Sequence, residues 1–135
     1  MSQENVEAFK RAVDAYNRRD IDTFLEIFDP TAEVHPLNLA MFGREATVYR
    51  GHDGLRLFIR EVDEVLSEMQ AQVLEVRDLG ERIVGKGRFR ARGRASGAEI
   101  EASVGWLVEF KNGRATRMRD YPDFTEALEA AGLSE

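Results

Sequence analysis

Few side chains in this sequence carry chemistry beyond folding. Cysteine is absent, which removes disulfides, thiolate metal sites and cysteine nucleophiles. Of the two histidines, His35 stands before Pro36 and His52 before Asp53. No H-x-x-x-H or H-E-x-x-H spacing links them, so they form no metal motif. There is no Gly-rich phosphate loop and no G-x-S-x-G elbow. Proton transfer needs none of these motifs. An imidazole such as His35 exchanges protons near neutral pH. A carboxylate becomes a stronger base when an apolar pocket raises its pKa, and a hydrogen-bond donor then stabilises the charge it creates. The chain's carboxylates include Asp120, in Arg119-Asp120-Tyr121-Pro122-Asp123. Tyr16, Tyr49 and Trp106 offer one donor each. Asp53 is better explained by a helix dipole, Asp123 by helix capping, and His52 is expected to be exposed.

These residues need elements to position them. A chain of 135 residues is expected to form one domain, spanning residues 1–135, with a proper core. Its 43% hydrophobic and 33% charged content suits a soluble globular protein. A net charge of −6 argues against a general nucleic-acid partner. No basic-then-apolar leader opens the chain and no stretch approaches a membrane span, so a cytoplasmic protein without a membrane partner is expected.

Val6, Phe9, Val13 and Tyr16 recur at helical spacing, with Ser2 as the expected cap. A second helix carries Ile21, Phe24, Leu25 and Phe28 inward and stops at Asp29-Pro30. Ala32 to His35 reads as a brief edge strand before Pro36. Residues 37–50 have no period but carry Leu37, Leu39, Met41 and Phe42, as a segment over a pocket mouth would. Gly51 to Gly54 opens the strongest helix, with an apolar stripe from Leu55 through Phe58, Val62 and Leu66 to Met69. In residues 71–79, Val73, Val76 and Leu79 have helical spacing, yet a strand with a bulge fits the neighbouring hairpins better. A short helix over Phe124 to Ala131, capped by Asp123 and stopped by Gly132, closes the chain.

Arg82 to Phe110 is the clearest strand signal, alternating basic residues with Gly85, Gly87, Phe89 and Ala91. A two-residue Ser96-Gly97 turn would set Arg94 opposite Glu99, Arg92 opposite Glu101, and Gly87 opposite Trp106. The basic stripe then reads as a solvated sheet face rather than an anion site. Asn112-Gly113 makes the next hairpin. Strict pairing through that turn would point Asp120 outward and bury Arg117 and Arg119. A one-residue bulge sends Thr116, Met118 and Asp120 inward instead, and we favour it because buried arginines without partners are costly. The element order is ααβαββββα, an α+β domain.

In that order the pieces resemble the SnoaL-like branch of the NTF2-like superfamily. They are Arg19-Asp20 between two helices, Asp29-Pro30-Thr31-Ala32-Glu33-Val34, Tyr49-Arg50-Gly51-His52-Asp53-Gly54, Gly105-Trp106 through Asn112-Gly113, and Tyr121-Pro122-Asp123 before Glu126-Ala127-Leu128. The resemblance implies a cone-shaped α+β fold: a strongly bent, mixed or antiparallel sheet around three helices, with a short C-terminal helix, enclosing a cavity. It also implies a homodimer formed through the outer sheet face. The superfamily includes polyketide cyclases, ketosteroid isomerases, dehydratases, epoxide hydrolases and proteins of no known reaction, so fold does not settle activity. Its cyclases and isomerases use no metal or organic cofactor, and none is expected here.

By the same resemblance, Asp120 stands at about the place of the acid/base aspartate on the last strand of SnoaL-like cyclases. His35 stands near the aspartate that ketosteroid isomerases place before a proline, the alternative being a wall residue that fills space. The isomerase oxyanion tyrosine and protonated acid would fall near Ala12 and Trp106, which lack that chemistry. A steroid isomerase is therefore not expected. The expectation is a cofactor-independent acid/base enzyme of cyclase, isomerase or dehydratase type acting on a small hydrophobic ligand. Asp120 or His35 would move the proton, and Trp106, Met118, Tyr16, Tyr49, Phe58 and Phe89 would line the pocket. The alternatives are a non-catalytic binding protein and a dimeric scaffold.

Overall fold

The computed structural model describes residues 2–37 and 47–133. Helix α1 (Ser2–Arg18) buries Asn5, Phe9, Ala12, Val13 and Tyr16, one helical stripe. It ends where Arg19 takes a left-handed φ of 58°. Asp20 then accepts from the Thr23 N–H at 3.2 Å and starts α2 (Ile21–Ile27).

Strand β1 (Phe28–His35) follows without a loop, so it begins earlier than the Ala32 expected from sequence. Asp29-Pro30 lies inside it. The proline, which has no N–H to give a ladder, falls in the irregular stretch between Phe28 and Glu33 where pairing slips register. Strand β2 (Tyr49–Arg50) leads into α3 (Gly51–Val65), which buries Leu55, Phe58, Ile59 and Val62. The capping role expected of the Ser2 side chain, and the apolar cover expected of Leu39, Met41 and Phe42, lie outside the described residues.

The apolar stripe expected to carry α3 on to Met69 instead crosses into β3 (Leu66–Asp78). The cause is a bulge. Register slips between Leu66 and Glu68, so Leu66 faces Gly93 and Met69 faces Ala91 on the same side of the sheet. A second slip between Val73 and Glu75 does the same for Val73 and Val76. Two bulges thus imitate the three-residue spacing of a helix. The edge of β3 is held by Asn17 at the end of α1. Its side chain donates to the Ala71 carbonyl and accepts from the Ala71 N–H, both at 2.8 Å.

Strands β4 (Arg82–Gly93) and β5 (Glu99–Lys111) pair Arg92 with Glu99 and Arg90 with Glu101. The expected register was two positions away, because the turn spans Gly93 to Ala98 rather than two residues. A shift of two leaves every side chain on its expected face. The outer ladder includes Arg92 bridging Glu68 at 3.1 Å and Glu99 at 3.2 Å, a solvated face as expected. On the inner face Gly85 is the residue opposite Trp106, and the indole reaches on over Gly87, where a Cβ would lie 2.5 Å from the ring. Strand β6 (Arg114–Tyr121) returns through Asn112-Gly113, both at positive φ as a type I′ turn requires.

The six strands run β2-β1-β6-β5-β4-β3, with β1 and β6 parallel and the other neighbours antiparallel. One core lies between α1–α3 and the inner sheet face. Helix α4 (Phe124–Ala130), capped by Asp123, lies on the other face. There Phe124, Ala127 and Leu128 cover Val84 and Leu107 as a second core. The close approach depends on Gly105, where a Cβ would sit 2.3 Å from the Asp123 carbonyl oxygen. Among the described residues no helix is long and apolar enough to cross a membrane.

Candidate functional site

The position of Asp120 is set by one extra residue. Past the Asn112-Gly113 turn, Phe110 pairs with Ala115 but Glu109 pairs with Arg117, leaving Thr116 as the bulge. Its hydroxyl donates to the Glu109 carbonyl at 3.2 Å. Beyond it Met118 faces Val108 and Asp120 faces Trp106 on the inner side, while Arg117 and Arg119 are exposed on the outer side. This is the inward arrangement favoured from the sequence.

Asp120 opens into a pocket between the helices and the sheet. Tyr16, Phe58, Phe89, Trp106 and Met118 line it. Ala12 and Val13 of α1, Phe24 of α2 and Leu37 also contribute, as do Met69 and Ala71 of β3 and Val104 of β5. Sequence reasoning placed several of these on inward-facing stripes without separating pocket wall from solid core, since both look equally apolar. Tyr16 stacks on Phe58 with centroids 5.8 Å apart, and Trp106 meets Phe9 edge-on at 5.3 Å. The volume is about 40 Å³, against the roughly 150 Å³ of a cavity that takes benzene.

Electrostatically the pocket holds one carboxylate and no cation among its described lining residues. Asp120 Oδ2 accepts from the Leu37 N–H at 3.3 Å. Oδ1 is sealed from solvent with no hydrogen-bond partner among the described residues, although the residue as a whole is half-buried. Burial pushes the Asp120 carboxyl from an ordinary 3.8 up to about 7, with the Leu37 N–H working weakly the other way.

His35 does not join it. Val34, fully buried, pairs with Met118, whereas His35 pairs with Arg119 and so shares the outer face. Its Nε2 lies 3.2 Å from Glu33, and that contact, with Arg50, holds the Glu33 carboxyl below its usual range. His35, expected as the alternative proton carrier, is therefore not among the described residues that line the pocket with Asp120. Alternation along β1 sends a side chain one step from Val34 to the other side. Tyr49 is also displaced from the pocket surface. It packs behind Phe58 at 5.2 Å and hydrogen-bonds Glu61. His52, expected to be exposed, is half-buried, with Nε2 2.9 Å from the Phe28 carbonyl oxygen. No group of three His, Asp or Glu among the described residues could hold a metal ion.

Residues 9–118 match a family described as the SnoaL-like domain. No curated protein matches the chain. Among solved structures it is similar to an NTF2-like protein of unknown function from Burkholderia pseudomallei K96243, with 28% identity and a TM-score of 0.78 over 93% of this chain and 95% of that one. It is similar to TerC co-crystallised with polyporic acid, with 27% identity and a TM-score of 0.77 over 89% and 92% of the two chains. A putative SnoaL-like polyketide cyclase from Jannaschia sp. CCS1 shares the fold at 18% identity and a TM-score of 0.72, over 88% and 85%.

Proposed function

The chain belongs to the SnoaL-like domain family, and from that premise we propose that it is a single-domain, cofactor-independent acid/base protein in which Asp120 moves a proton on a small, largely apolar ligand. One observation carries the reading: a carboxylate oxygen with no partner among the described residues is enclosed by aromatic and aliphatic walls, and burial brings its carboxyl close to neutral titration. Near neutrality such a group takes and returns protons with little driving-force penalty in either direction. The co-crystallisation of TerC with polyporic acid supports an organic ligand. Trp106 and Tyr16, both in the wall, are the side chains that could donate to a developing oxyanion. Ligands of benzene size or larger require the pocket to widen, and Met69 and Met118 are the flexible side chains in its wall.

Deuterium uptake next to the carbonyl of small ketones, followed by NMR in heavy water, tests the chemistry. Wild-type protein is expected to accelerate exchange, and Asp120→Asn to remove about 100-fold or more of that acceleration. Equal exchange by the two proteins would sink the assignment. A binding role without chemistry is favoured by the lack of a second carboxylate or histidine among the described lining residues. It is distinguished by ligand-induced stabilisation that persists in Asp120→Asn. We further propose a homodimer through the outer sheet face beside α4, where Arg117 pairs with Glu109 at 3.7 Å. Sedimentation reads the mass directly.

A further inference from the structure

The same pocket constrains the charge of its occupant. Asp120 Oδ1 is buried without a partner among the described residues, and a desolvated carboxylate is relieved by a proton, a neutral donor or a cation. Among the described residues, none of the side chains lining the pocket is a lysine, arginine or histidine, so the described lining supplies no counter-ion. The walls are instead aromatic: Tyr16, Phe24, Phe58, Phe89 and Trp106 surround the space. Ring faces carry partial negative charge, which repels anions and attracts cations. Met69 and Met118 add polarizable sulfur. The chain's net charge of −6 favours the approach of cations.

We propose that this pocket selects a small organic ammonium ion, a protonated amine with short apolar substituents, with Asp120 as its counter-ion and the aromatic walls around its alkyl groups. The proposal rests on the placement of Asp120 in the pocket, which the acid/base reading shares, and adds the ligand class: the ligand carries a positively charged nitrogen. The volume of about 40 Å³ limits the occupant to a few heavy atoms unless the wall moves. Two neighbours bear on the charge. Tyr16 is the other titratable group lining the pocket among the described residues. Arg19 lies over the Tyr16 ring at 5.3 Å, but it is engaged by the Tyr16 carbonyl at 2.7 Å and by Asp63 at 3.6 Å.

Three probes of four heavy atoms and different charge test the proposal: isopropylammonium, isopropanol and acetate, at matched ionic strength. The indole N–H signal of Trp106, the chain's one tryptophan, reports occupancy by NMR. At pH 8 isopropylammonium is expected to bind at least about tenfold more tightly than isopropanol, and acetate least. The preference is expected to weaken below about pH 7 as Asp120 takes up a proton, and to vanish in Asp120→Asn. Equal binding of the three probes, no binding of the cation, or a cation preference that survives Asp120→Asn would overturn it. Should Asp120→Asn fail to fold, the wild-type series at pH 6 and pH 8 decides. Cation preference without ketone exchange would remove only the acid/base reading. Exchange without cation preference would remove only this one.

Discussion

Asp120 and His35 lie on neighbouring strands and face opposite sides of the sheet, so at the scale of the residue only Asp120 has the surroundings to be tuned. Its raised pKa has a consequence for stability. Between about pH 4 and pH 7 the folded chain holds a proton that the unfolded chain has released. The resulting stabilisation is full below the ordinary carboxylate pKa and is lost as pH rises through about 7. At about 1.4 kcal/mol per pH unit, the change is up to about 4 kcal/mol. Asp120→Asn is expected to remove this dependence. Thermal unfolding should then show the variant gaining on wild type from pH 4 to pH 8, and a parallel pair of curves would refute the burial argument. His35→Ala is expected to leave ketone exchange within about twofold of wild type, since the imidazole is turned away from the pocket. A loss comparable to that of Asp120→Asn would contradict the geometry.

At the scale of the element, irregularities decide what faces what. Thr116 is the extra residue that sends Asp120 inward, and the bulges in β3 turn Leu66 with Met69, and Val73 with Val76, toward the core. Deleting Thr116 is expected to rotate Asp120 out of the pocket. Its carboxyl should then titrate near 4 in a carbon-detected NMR experiment rather than near 7. Glycines in β4 are the complementary device. A methyl at Gly87 would meet the Trp106 ring at 2.5 Å and the Gln72 carbonyl oxygen at 2.4 Å, and neither is the loose end of a flexible chain. Gly87→Ala is expected to cost about 1–3 kcal/mol in chemical denaturation and to perturb the Trp106 fluorescence. An unchanged midpoint would mean that the sheet yields there.

The whole molecule divides its apolar side chains between the two faces of one sheet. The inner core holds α1–α3 and the pocket, and the outer core holds α4. Phe124 belongs to the outer one, with the Arg77 guanidinium 5.5 Å and the Lys86 ammonium 5.9 Å from its ring. Phe124→Ala is expected to lower stability by about 3 kcal/mol while leaving the Asp120 titration unchanged, because the sheet separates the two. A shift in that titration would show the faces to be coupled.

Residue order alone determined much of this protein. Helical stripes, the alternation of β4 and β5, the Asn112-Gly113 turn and the Asp123 cap are local signals, each written within a few neighbouring residues. The bulge after Asn112-Gly113 was also within reach, because the cost of burying Arg117 and Arg119 argued for it. Only the tertiary structure decided the rest. It separated strand from helix across Leu66 to Met69, where a bulge and a helical turn present the same spacing. It set His35 apart from Asp120, since facing across a parallel pair depends on register between distant strands. It also separated pocket wall from filled core. Those properties belong to pairs of residues far apart along the chain, and no local pattern encodes which partner each will meet.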